Sequence, residues 1–284
     1  MKAYSLGLYE KAMPPTLSWR EKLEIAKSSG YDFIEISIDE SDEKLSRLDM
    51  DASERLALVQ LMFETGIPIR SLCLSGHRKY PIGSKDQETS SKGMEIMQKT
   101  IQFADDLGVR IVMLAGYDVY YEESDKETRK IFLANLKKAV ELAARSGIML
   151  AFETMETEFM NTVEKAKEIV SFINSPYLQI YPDIGNITNA AIADGKDVLI
   201  DLNSGLGSLV AMHLKESKTG QFRDMMYGEG HVNFSEAIKT AWELGIRRFV
   251  TEFWYQDTEE WRDEILFARI FISRLLNKEQ KAHA

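Results

Sequence analysis

The sequence predicts an α/β fold, a single (β/α)8 TIM barrel. Three observations carry that expectation. Apolar runs of four to seven residues alternate eight times with longer stretches of helical period, the mark of a parallel sheet. Glycines stand where helices should stop just before strands, at Gly30, Gly66, Gly108, Gly147 and Gly245. The length of 284 residues suits one barrel, a fold that typically needs about 250. No linker or low-complexity segment divides the chain, so residues 1–284 read as one domain, with the tail from about 277 to 284 expected to be disordered.

The first strand is expected over residues 2–9 and its helix over 17–29, with Leu23, Ile25 and Ala26 apolar. Strand two, 31–38, ends in an acidic turn at 39–43, and a helix follows over 53–65, opening on a serine cap and early negative charge. Strand three, 67–74, runs into Ser75-Gly-His-Arg-Lys-Tyr-Pro81, the most basic loop, before a helix over 85–107. Strand four, 109–115, leads to a tyrosine-rich loop, 116–121. The helix over 127–146 carries Phe132, Leu133, Leu136, Val140 and Ala143 at the spacing of one buried face. Strand five is 148–152 and its helix 162–173; strand six is 177–181, followed by a weaker helix over 189–202 interrupted by Gly195. Strand seven, 208–214, gives way to a long polar loop, 215–231. Helix 234–244, strand eight at 246–251 and an amphipathic helix over 259–276 complete the chain. An open doubly wound sheet is the competing topology, but no Gly-x-Gly-x-x-Gly follows the first strand.

Composition narrows the function. A net charge of -10 disfavours nonspecific binding to nucleic acid or anionic membrane, both polyanions. One cysteine, Cys73, excludes an internal disulfide framework and a cysteine zinc cage. The start, Met1-Lys-Ala-Tyr-Ser-Leu-Gly7, lacks the apolar core of a signal peptide, and no run approaches the roughly 18 apolar residues of a membrane span. The expected compartment is the cytoplasm.

In a barrel the C-terminal ends of the strands face the active site. Four residues stand there: Glu153 after strand five, Asp183 after strand six, His213 within the end of strand seven and Glu252 after strand eight. They are 30, 30 and 39 residues apart, about one strand-plus-helix unit each. Three carboxylates and an imidazole suit Mn2+, Mg2+, Co2+ or Zn2+, with no soft thiolate offered. All four are therefore candidate metal ligands.

The segments Leu8-Tyr-Glu-Lys-Ala-Met-Pro14, Tyr181-Pro-Asp-Ile-Gly-Asn186, Met212-His-Leu-Lys-Glu-Ser-Lys-Thr-Gly220 and Gly228-Glu-Gly-His-Val-Asn-Phe234 resemble the L-xylulose-5-phosphate and L-ribulose-5-phosphate 3-epimerases, which are xylose-isomerase-like barrels related to the ketohexose 3-epimerases. The resemblance continues through 38–48, 76–83 and 114–121. It implies an isomerase of carbohydrate metabolism, in a setting such as L-ascorbate degradation, holding one divalent metal on the matches of the family's strand-end ligands. It also implies a homodimer, and that Glu153 and Glu252 exchange the substrate proton.

The chemistry accounts for that pairing. Inverting a carbinol beside a ketone means removing a carbon-bound proton and returning it to the other face. Two carboxylates on opposite sides of the carbon can do this, one as base and one as acid. A metal chelated by the C2 carbonyl and C3 hydroxyl would stabilise the cis-enediolate. Asp183 and His213 would then serve mainly as ligands. Glu156, where the family has an acid, is a candidate for a substrate hydroxyl. Barrels often bind phosphate after strands seven and eight, and here Lys215, Lys218 and Arg223 follow strand seven while His77, Arg78 and Lys79 follow strand three. Lys218 and Arg78 are the preferred phosphate pair, and Tyr117, with Tyr120 and Tyr121, would wall the sugar. An aldose-ketose isomerase on the same barrel stays open. A multinuclear-zinc nuclease ranks low because only four histidines exist, and a non-catalytic sugar-phosphate sensor ranks low because both glutamates are intact.

Overall fold

The computed structural model describes residues 2–283. Its eight strands, β1 (Ser5–Tyr9), β2 (Phe33–Ile38), β3 (Ile69–Leu74), β4 (Ile111–Ala115), β5 (Met149–Glu153), β6 (Leu178–Ile180), β7 (Met212–Leu214) and β8 (Arg248–Thr251), pair in parallel in the order β6-β5-β4-β3-β2-β1-β8-β7. Between β6 and β7 the barrel closes through isolated bridges, Ile180 opposite Leu209 and Asp183 opposite His213. The expected (β/α)8 barrel is the fold.

Strand period explains why the mouth is built as it is. In β2 the outward residues Ile34, Ile36 and Ile38 pack against the helices, while Phe33 belongs to the interior cluster that also holds Ala151, Tyr181, Ala211 and Val250. Side chains alternate faces with a period of two. Moving two residues on from each interior position gives Glu35, Glu153, Asp183, His213 and Glu252, and so all five face the barrel axis. Gly7 in β1 makes room for this interior, since a Cβ there would stand 2.4 Å from the Phe33 ring.

Helices α1 (Trp19–Ser28), α2 (Asp42–Ser46), α3 (Ala52–Thr65), α4 (Gln87–Leu107), α5 (Lys126–Arg145), α6 (Val163–Ile173), α7 (Ile184–Asp194), α8 (Val198–Ser204), α9 (Phe234–Glu243) and α10 (Trp261–Ala282) cover the strands. Capping boxes start α1 at Ser18, α3 at Asp51 and α5 at Asp125. The five glycine stops all have positive φ.

Three expectations are corrected. The helix expected over 189–202 is two helices broken at Gly195, and the first begins at Ile184, because Asp183 caps it through Oδ1, accepting from Asn186 N at 3.0 Å. Gly185 lies inside α7, where a Cβ would come within 2.8 Å of Lys215 O. Strand seven is shorter than expected, running only from Met212 to Leu214, with Leu209 making a single bridge. The tail is not disordered over 277–282. There α10 continues, with Leu276 and Glu279 buried and Gln280 Oε1 accepting from Ala3 N at 2.8 Å. Residue 284 lies outside the described residues.

At the end of β1 a single buried carboxylate, Glu10, receives Lys22 at 2.8 Å, Lys44 at 2.7 Å and Arg47 at 2.7 Å, plus Ser37 N at 2.9 Å. Burial would raise its carboxyl, but Arg47, Lys22 and Lys44 outweigh it and hold the group far below the carboxylate range. A depressed carboxyl contributes stability that is complete above its unfolded value of about 4.3 and declines as pH falls below it. Glu10→Gln leaves buried cations uncompensated and should cost about 3–5 kcal/mol near pH 7. Urea unfolding at pH 7 and pH 4 checks this, with the gap between variant and wild type narrowing at the lower pH.

Candidate active site

The strand ends open into a cavity of about 480 Å³ whose floor includes Glu153 and Glu252. One donor atom from each of Glu153, Asp183, His213 and Glu252 lies within 4.8 Å of the others, and all four residues are buried. Sequence reasoning placed these four together, and the structure brings them together. His213 Nδ1 faces Glu252 Oε2 at 2.8 Å and Glu153 Oε1 at 3.2 Å, while Nε2 faces Glu35 Oε1 at 2.5 Å.

Whether this set fits a metal can be judged from its own oxygens. Asp183 Oδ2 and Glu252 Oε2 are buried without a hydrogen bond. Lys215 Nζ stands 2.6 Å from the first and His213 Nδ1 2.8 Å from the second. Those contacts are close enough to pair charges but are not aligned as hydrogen bonds. Buried oxygens normally have hydrogen-bond partners, so two that meet charged neighbours without an aligned hydrogen bond, in a set of oxygens and one imidazole, fit a divalent cation.

The electrostatics are those of crowded acids. Burial, with the charges of Glu252 and Glu153, pushes Asp183 up to about 8 against the opposing Lys215 ammonium. Burial and Glu252 raise Glu153. Glu252 goes the other way: burial would lift it, but Lys215 and His213 hold it well below the carboxylate range.

The expected substrate residues separate into groups. Lys215 lines the cavity, but its ammonium turns into the carboxylate cluster, donating to Asn186 Oδ1 at 2.9 Å, rather than standing free for a phosphate. Glu156 lines the cavity and accepts from Tyr117 at 2.7 Å and Tyr120 at 3.3 Å. Tyr117 is buried in a second layer behind it. Arg78 reaches the cavity stacked on Tyr120 and Tyr117, with its Nε buried and unpartnered. Lys218 is exposed and does not line the cavity. His77 points away from it, its Nε2 3.1 Å from Gly93 O in α4, because the tight turn after β3 directs it inward.

Sequence reasoning passed over Glu35, Asn186, Trp254 and Lys11. Glu35 had a legible signal, an acid inside the apolar run Phe33–Ile38. Lys11 and Trp254 line the cavity, but neither stands out from ordinary surface or core residues in sequence.

The family model described as xylose isomerase-like TIM barrel matches residues 23–271. L-ribulose-5-phosphate 3-epimerase UlaE of Escherichia coli (strain ATCC 8739) is 43% identical over 278 residues, covering 98% of this chain and 96% of that protein. The protein of the same name from Shigella boydii serotype 18 matches at 43% over the same shares. Among solved structures, an L-ribulose 3-epimerase superposes with TM-score 0.79 at 18% identity, covering 99% of this chain and 97% of that one. D-psicose 3-epimerase from Clostridium cellulolyticum H10, solved with D-tagatose, gives 0.80 at 14%, over 96% and 99%. Likeness at such identity concerns the fold.

Burial holds the His77 imidazole down at about 4, with Gly93 O opposing. The unfolded histidine titrates near 6.5 and so binds more protons than the folded one between the two values. Stability from this group is therefore present above about 6.5 and lost as pH falls. Wild type should lose on the order of 1–2 kcal/mol from this group between pH 7 and pH 5. A His77→Gln variant should lose less over that interval, measured by chemical denaturation at both pH values.

Proposed function

The chain belongs to the xylose isomerase-like TIM barrel family, and from that premise we propose that it is a metal-dependent 3-epimerase interconverting L-xylulose 5-phosphate and L-ribulose 5-phosphate. The observation that carries the reading is the convergence of Asp183 and His213 with Glu153 and Glu252, the two of the four that line the cavity. These four residues would hold one ion, Mn2+, Mg2+, Co2+ or Zn2+. When bound, it would polarise the ketose carbonyl and offset the negative charge of the enediolate.

The side chains do the proton work. Glu153 projects from β5 and Glu252 from just beyond β8, and a ketose lying between them would have one carboxylate toward each face of C3. One takes the C3 proton and the other returns a proton to the opposite side. Which acts first follows the configuration of the substrate, so the pair serves both directions. Asp183 and His213 fix the floor, and Lys215, between Asp183 and Glu252, offsets part of the carboxylate charge. Glu156, held by Tyr117 and Tyr120, is placed to accept from a sugar hydroxyl.

For the phosphate, the cavity rim favours Arg78 with Arg223 rather than Arg78 with Lys218. Arg223 lines the cavity, stacks 5.2 Å from the Trp254 ring centre and pairs with no carboxylate among the described residues. Arg78 brings an unpartnered buried Nε to the same cavity. Guanidinium forks suit phosphate oxygens.

Incubation in deuterated water should place deuterium at C3 of either ketose 5-phosphate, and EDTA, Glu153→Gln or Glu252→Gln should abolish it. Turnover with label at C1 instead would identify an aldose-ketose isomerase. Arg223→Ala should raise KM for the phosphorylated ketose about 10- to 100-fold, the scale of losing a charged hydrogen bond. Its kcat/KM for the unphosphorylated ketose should stay within about twofold of wild type, as steady-state kinetics on both sugars will show.

A further inference from the structure

Glu35 lies in the middle of β2 and is fully buried, with no bulk water to solvate its carboxylate. A carboxylate so placed costs several kcal/mol unless each oxygen is matched by a donor. Both are. Oε2 accepts from Ser71 Oγ of β3 at 2.6 Å and from the Tyr181 hydroxyl, just beyond β6, at 2.9 Å. Oε1 faces Nε2 of His213 in β7 at 2.5 Å. Residues from three other strands thus converge on this one side chain, and it contributes nothing to the lining of the cavity.

The contact decides which imidazole nitrogen carries the proton. An acceptor on Nε2 keeps hydrogen there, so that Nδ1, which faces Glu153 and Glu252, is the nitrogen left to give up its proton and act as ligand when an ion binds. The ring plane is held as well, because the Tyr181 ring stands edge-on to His213 with centroids 4.9 Å apart. One tyrosine therefore packs against the imidazole and also aims the carboxylate that orients it.

We propose that Glu35 is a positioning residue of the metal centre: with Ser71 and Tyr181 it fixes the tautomer and orientation of His213 so that Nδ1 is presented to the ion. The inference rests on the metal-centre reading above and extends it to a residue outside the four donors. A purely structural Glu35 would affect stability alone. A positioning Glu35 changes how tightly the ion is held and the symmetry of its coordination.

Titration of metal-free protein with Co2+, followed by visible absorption, separates the two. Glu35→Gln keeps the size of the side chain but removes the charge, and should weaken Co2+ binding about 10- to 100-fold, the usual effect of losing such an outer partner. It should also alter the Co2+ absorption band, while circular dichroism of the metal-free variant matches wild type. Tyr181→Phe, which removes one donor to Oε2, should weaken binding by a smaller factor and decides the matter where Glu35→Gln does not fold. Co2+ affinity within about twofold of wild type and an unchanged band, in a folded Glu35→Gln or, failing that, in Tyr181→Phe, overturns this inference alone. Wild type that takes up no Co2+ overturns it together with the metal-centre reading.

Discussion

The mutual repulsion of buried carboxylates at the barrel floor is the constraint on which the rest of the site depends. Glu35, Glu153, Asp183 and Glu252 carry four negative charges when ionised, and Lys215 is the one ammonium among them. With the imidazole neutral they leave a formal charge of -3. A dication would bring it to -1, the charge of a single free base. The same crowding shows as displaced titration: Asp183 is pushed up by burial and its neighbours, while Glu252 is held down by Lys215 and His213. Such groups stay close together only when the backbone leaves them nowhere else to go, and strands buried on both faces provide that rigidity.

The seam of the barrel concentrates the rigidity where it matters. Asp183 and His213 face each other across the β6–β7 closure, and His213 N donates to Pro182 O at 2.9 Å. Thr154, just beyond β5, exchanges hydrogen bonds with Asp183 and accepts at its carbonyl from Asn186 Nδ2 at 2.8 Å. Asn186 in turn accepts from Lys215 at 2.9 Å. Three strand ends are thus tied by one polar chain. Asp183 is also the cap of α7, so its carboxylate has two tasks: Oδ1 serves the helix and Oδ2 remains for the cluster.

The barrel and the four donors were legible in the sequence because both follow from strand period. A residue two places beyond an interior position faces the axis whatever its neighbours are, which is why Glu153, Asp183, His213 and Glu252 could be named from apolar runs alone. Glu35 obeys the same rule and was legible in principle, but it sits in mid-strand, where only the three-dimensional convergence of Ser71, Tyr181 and His213 explains it. The loops were less legible. His77, Arg78 and Lys79 are consecutive basic residues, yet a short 3-10 turn over Gly76–Arg78 sends His77 into the packing against α4 and Arg78 to the cavity. Lys215 and Lys218 are separated by three positions and by burial: one lies inside the cluster and the other in solvent. No period governs such choices, so composition alone could not rank them.

The two kinds of legibility divide the molecule by task. On the proposed reading proton exchange at a carbon beside a ketone would need only the floor, and the fold itself is shared with a solved L-ribulose 3-epimerase at 18% identity and a solved D-psicose 3-epimerase at 14%. On the proposed reading a phosphate would be met at the rim, by the loops after β3 and β7 that carry Arg78 and Arg223. The β7 loop is itself anchored from below: the buried Glu216 carboxylate accepts from Gly228 N at 2.8 Å and from Val232 N at 3.1 Å, bending residues 217–232 back over the mouth. Glu216 stands three residues after His213, so one short stretch of chain presents an imidazole to the floor and anchors the loop that carries Arg223. If the proposed reading holds, a change in that loop would alter which sugar enters while β7, the polar seam and the carboxylates beneath remain as they are, so that selection for a phosphorylated substrate would act apart from the floor.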